Sequence, residues 1–92
     1  MIARILGEGQ LELEDGVLDH LNSLDAAVES AVGAGDEDAF REALVSLLDA
    51  VREHGKPLAD DALLPSDAVL PGPDSSLAEV RELLGDEGLI PG

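Results

Sequence analysis

The chain has 92 residues, enough for one domain whose folding removes roughly 60–65% of the unfolded surface from water. It contains no cysteine, a single aromatic residue (Phe40), and 21 acidic residues against 5 basic ones, for a formal net charge of -16. This composition excludes disulfides, thiolate metal sites and cysteine nucleophiles, and its negative field disfavours charge-driven binding to nucleic acid or to an anionic membrane while attracting a basic partner.

Met1 to Leu6 and Gln10 to Glu14 read as two short strands. In the second, Leu11 and Leu13 alternate with Gln10, Glu12 and Glu14, the period of a strand with one wet face. Gly7, Glu8 and Gly9 supply the permissive backbone of a tight hairpin turn. Such a hairpin is marginal alone. It needs a helix across its apolar face and either a third strand or a partner along its open edge.

From Asp15 to Val32 the period becomes helical, with Val17, Leu18, Leu21, Leu24, Val28 and Val32 on one side. Asp15 or Gly16 can start this helix and Gly33-Ala34-Gly35 ends it. Asp36 caps a second helix running to Gly55, in which Phe40, Leu44, Leu47, Leu48 and Val51, extended by Ala43 and Ala50, form the strongest apolar stripe of the chain. The short connection makes the two helices antiparallel neighbours. Arg52 and His54 complement the carbonyl end of the second helix, and Gly55 with Lys56-Pro57 stops it.

The segment from Lys56 to Asp74 contains four of the five prolines. Leu58, Leu63, Leu64, Val69 and Leu70 make it a wrap that crosses the helices rather than a free linker. Asp60 to Leu64 has the composition of a single helical turn, and Ala68 to Leu70 of an extended run against the hairpin. Ser76 and Glu79 form a capping box that opens a third helix through Leu77, Val80, Leu83 and Leu84, ended by Gly85. Leu89 and Ile90 close the chain with aliphatics, either docked in the core or offered to another chain. Together these elements predict an α+β fold in a single domain over residues 1–92: an N-terminal β-hairpin on an antiparallel helical hairpin, a Pro-rich wrap and a short third helix.

No catalytic, cofactor-binding or metal-ligating set emerges. His20 falls at the rim of the first helix and His54 on the apolar side of the second, positions that favour capping, packed or solvated roles over ligation. Carboxylates are so frequent that pairs such as Asp60-Asp61 carry no information about acid–base work. The run DEDAF lacks the oxygen spacing of a calcium loop, and Gly7 and Gly9 lack the third glycine and following helix of a nucleotide site. Asp25, inside the apolar sector of the first helix, is expected as a rim carboxylate paired with Arg4 or Arg52, or as a surface for a partner's arginine. Val45 points away from the Phe40 stripe. Arg4, Asp25, Val45, Leu89 and Ile90 are therefore the candidate partner-contact residues. MIARILGEGQ is too short and too interrupted for a secretion signal or a membrane span, which predicts a soluble cytoplasmic protein.

The segments MIARILGEGQ, LNSLD, GDEDAF, VREHGKPL, LLPSD, VLPGPD and LAEVRELLGDEGLIPG, in this order along nearly the whole chain, resemble the PspA-associated family, PspAA. Members of that family are found beside PspA, the phage-shock membrane-stress protein, in actinobacteria and archaea, and have no defined catalytic residues. The resemblance implies a non-enzymatic cytosolic accessory of the envelope-stress response. Its expected partner is the PspA-like coiled-coil protein, without nucleic-acid binding or direct membrane insertion, and any contact with the membrane periphery is made through PspA. The alternative is a self-associating module, a homodimer paired through the hairpin edge.

Overall fold

In a computed structural model, which describes residues 1–59 and 64–83, strand β1 (Ile2–Ile5) and strand β2 (Gly9–Glu12) pair as an antiparallel hairpin with Ala3 opposite Leu11 and Arg4 opposite Gln10. The pairing runs past the strand ends, because the Met1 amino group donates to the Leu13 carbonyl and the Leu13 amide to the Met1 carbonyl, each at 2.8 Å. Strict alternation sends Ala3, Ile5, Leu11 and Leu13 inward, where they are buried, and leaves Arg4 and Glu12 in water.

The first helix differs from expectation at both ends. A 3-10 turn over Asp15–Val17 precedes helix α1 (Leu18–Ala34), with no side chain capping the start. Gly33 and Ala34 continue the helix. The stop is Gly35 alone, whose φ of 69° lies in the left-handed region that a glycine enters without a steric penalty. Helix α2 (Glu37–His54) follows at once, with the Asp36 carboxylate accepting from the Ala39 amide at 3.1 Å as the sequence predicts. Its Phe40, Leu44, Leu47, Leu48 and Val51 are all buried against Leu21, Val28 and Val32 of α1 and the inward residues of the sheet.

Both open edges of the hairpin are filled from within the chain. Strand β3 (Lys56–Pro57) pairs antiparallel with β2, and strand β4 (Ala68–Leu70) pairs parallel with β1, giving the order β3-β2-β1-β4. Strand β3 was not expected, since two residues including a proline carry no strand signal; proline is tolerated there because the position is a sheet edge. The Asp67 carboxylate extends the parallel ladder by accepting from the Ile2 amide at 2.8 Å, while the Asp67 amide donates to the Ile2 carbonyl at 2.7 Å.

Of the segment between β3 and β4, the described residues attach to the sheet. Leu58 donates to the Gln10 carbonyl, and the Gln10 side-chain amide donates to the Leu64 carbonyl at 2.7 Å and to the Ser66 hydroxyl at 2.8 Å. Gln10 shares the outward face with Arg4, yet it is only 7% exposed, because residues 64–66 lie over it. The expected helical turn from Asp60 lies mostly outside the described residues. Helix α3 (Leu77–Leu83) begins with the predicted capping box, Ser76 Oγ accepting from the Glu79 amide and Glu79 Oε1 from the Ser76 amide. It is tied to α1 by the Arg81 guanidinium, which donates to the Val32 carbonyl at 2.9 Å in the last turn of that helix, where positive charge is favoured.

Gly55 joins α2 to the sheet. Its φ of -83° and ψ of 150° suit any residue, so the requirement is space: a Cβ there would lie 2.6 Å from the Val51 carbonyl oxygen and 2.9 Å from Leu11 Cβ. Replacing glycine by alanine ordinarily stabilises an open site by about 0.4–1 kcal/mol through the unfolded chain. Here overpacking against backbone reverses the sign, and Gly55→Ala should cost about 1–3 kcal/mol in a urea melt. An unchanged or raised midpoint would show that the α2–β2 junction gives way freely.

Candidate partner-binding surface

With one side of each helix spent on the sheet, the opposite side of the α1–α2 pair faces solvent. On α2 that side carries Asp38, Glu42, Asp49 and Glu53, all exposed and separated by helical steps of four, seven and four residues, which line them into one acidic ridge. Val45, 46% exposed, stands beside the ridge. A shallow groove of about 490 Å³ runs along this flank and is lined by Arg41, Glu42, Val45 and Ser46. On the other flank, a second groove of about 320 Å³ follows the seam with α1, lined by Leu24, Ala27, Ala39, Glu42, Ala43 and Ser46. Both have mainly apolar walls and are open to solvent.

The residues singled out from the sequence do not converge. Arg4 is exposed on the outward face of the sheet, in register with Gln10 and Val69, whereas Val45 lies on the outward face of the helices, across the core from it. Asp25 is 3% exposed and therefore not at a rim. Leu89 and Ile90 lie outside the described residues. The sheet's outward face also exposes Leu6 and Val69.

The expected partner of Asp25 among the arginines is otherwise engaged in one case. Arg52 donates through Nε to Glu8 Oε1 at 2.8 Å and through Nη2 to Glu8 Oε2, with a further bond from Nη1 to Asp49 at 3.1 Å. This fork ties the hairpin turn to the last turn of α2. His54 is exposed rather than on the apolar side, its ring edge-on to His20 with centroids 6.1 Å apart, an approach that follows from the antiparallel pairing of α1 and α2. Among the described residues no three His, Asp or Glu side chains are placed to hold a metal ion. Nor is any described helix long and apolar enough to cross a membrane.

The grooves were missed by sequence reading because their small residues, Ala27, Ala39, Ala43 and Ser46, carry no chemical signal. Only the placement of α1 beside α2 makes them a surface. One signal was present in the sequence, the helical spacing of Glu42, Asp49 and Glu53, but from sequence that side reads as a solvated face rather than a place for function.

The hydrogen bonds from Arg52 hold the Glu8 carboxyl below the usual carboxylate range, partly offset by desolvation, and the same bonds raise Arg52. A depressed folded pKa means that the stabilisation is complete above the unfolded carboxyl pKa and is lost as pH falls through the folded value. For a pair 37% exposed on each side, solvent screening leaves about 0.5 kcal/mol. Glu8→Gln should lower the melting temperature by about 2–4 °C at pH 7, and the gap to the parent should close at acid pH. A gap that stays the same size as acid titrates the carboxylates would mean that the charge on Glu8 contributes nothing.

The sequence profile of the PspA-associated protein family matches residues 1–92, the whole of the chain. No curated protein and no solved structure matches it significantly. The family description names PspA as the protein with which such chains are associated. On the strength of that full-length match, the chain belongs to the PspA-associated protein family, PspAA.

Proposed function

We propose that the protein is a non-enzymatic accessory of the phage-shock envelope-stress response that acts by binding PspA directly. The observation that carries this reading is the full-length family match, which names PspA as the associate. Its chemistry is supported by the charge. A body of 92 residues with a formal net charge of -16 presents a long-range negative field that accelerates encounter with a basic surface and discourages competing acidic ones.

Family resemblance makes the partner a long helical coiled coil that coats membranes. Binding to basic stretches of such a protein competes with the contacts those stretches make in the assembled coat, so the accessory shifts PspA between free and assembled forms by its differential affinity for them. In this reading the protein acts from the cytoplasm and reaches the membrane periphery through PspA. The competing reading, a homodimer through the hairpin edges, is weakened because β3 and β4 occupy those edges. Pairing between copies would have to use the outer sides of strands two and three residues long.

Purified protein mixed with purified PspA should associate at about 50 mM salt and dissociate progressively as salt screens the attraction. Sedimentation at both salt levels checks this. Absence of any salt-sensitive complex, or a stable homodimer indifferent to PspA, would overturn the proposal.

A further inference from the structure

We infer that the outward face of the α1–α2 hairpin is the docking surface, and that it takes a basic amphipathic helix of the partner lying along α2 with its apolar stripe in the two grooves. This rests on the proposed binding to PspA and assigns it a place.

Three observations select the face and the occupant. The grooves share Glu42 and Ser46 and so adjoin across the outward side of α2 between Ala39 and Ser46. Their small walls at Ala27, Ala39, Ala43 and Ser46 allow a third helix to approach at the interaxial distance of about 8–10 Å usual between packed helices. Val45 and half-buried Leu24 supply the apolar contacts, and being open, the grooves suit a polypeptide better than an enclosed small molecule.

Charge then fixes the partner. Asp38 and Glu42 lie at the grooves and Glu53 continues their side of α2, with Asp49 already paired to Arg52 and Arg41 at the groove's edge, so a helix with lysines or arginines facing the acids gains opposite charges. A second copy of this chain is disfavoured for the same reason, since it would set one acidic ridge against another. The other exposed apolar area, around Leu6 and Val69 on the sheet, carries Arg4 and Lys56 among its charges beside Glu12, and so offers no row of acids to a basic helix.

The test compares matched pairs of substitutions in the full chain, titrated with purified PspA. Glu42→Lys and Val45→Asp alter the groove. Glu12→Lys and Val69→Asp make the same changes on the outward face of the sheet, at exposed positions. Thermal melts establish that each variant is folded, and amide chemical-shift mapping on the unmodified chain provides a readout that needs no variant. Each groove variant should weaken binding about tenfold or more and each sheet variant by less than about twofold, with shifts concentrated in α1 and α2. Equal losses from both faces, or shifts centred on the sheet, would overturn the docking site while leaving PspA binding intact. If the unmodified chain does not bind PspA, the parent reading fails and this one with it.

Discussion

The packing of one face of α2 against the inward side of the sheet is the contact on which the rest of this small protein depends. With a single aromatic residue in the chain, the interior has to be filled by aliphatic side chains, and Phe40, Leu44, Leu47, Leu48 and Val51 bring the largest contiguous share of them. Most of the other elements add buried residues to the same cluster. The hairpin contributes Ile5, Leu11 and Leu13, α1 contributes Leu21, Val28 and Val32, and the late segments add Leu70 and Val80. The requirement for no side chain at Gly55 follows from the same packing, because it lets β2 close onto the end of the organising helix.

Much of this was legible in the sequence wherever a local period or a local cap carried the information. The alternation of Leu11 and Leu13, the stripe of α2, the Asp36 cap and the Ser76–Glu79 box each depend on residues within a few positions of one another, and each stands where the sequence placed it. What escaped depends on distant partners. Nothing near Lys56-Pro57 marks it as a strand, since its strand character comes from pairing with Leu11 and Glu12. Gln10 reads as a solvent-facing residue by alternation and is buried only because residues 64–66 settle over it. The pairing of Arg52 with Glu8 rather than with Asp25 depends on how the hairpin turn swings against the end of α2. The α1–α2 grooves are likewise a product of juxtaposition and not of any residue type.

The acidity of the chain has a consistent structural expression. Most acids lie in water, and the basic residues are used sparingly, Arg52 as a fork at the hairpin turn and Arg81 as a cap on the end of α1. Two of the five positive charges thus hold elements together, while the negative ones define how the molecule looks from outside. A protein built this way keeps its internal ion pairs local and presents nearly all its excess charge to whatever approaches, which makes association steeply dependent on ionic strength without requiring the fold to be so.

The parallel pairing of β1 with β4 has a consequence for the order in which the chain can become structured. Ala3 lies against Ala68, so β1 acquires this neighbour only after residues up to β4 have been made. Until then the hairpin and the two long helices can assemble from nearby segments, but one side of β1 keeps its amides and carbonyls unpaired. Closure of the sheet is therefore a long-range event that joins segments far apart in the sequence, and until it occurs a strand edge stays open to other chains.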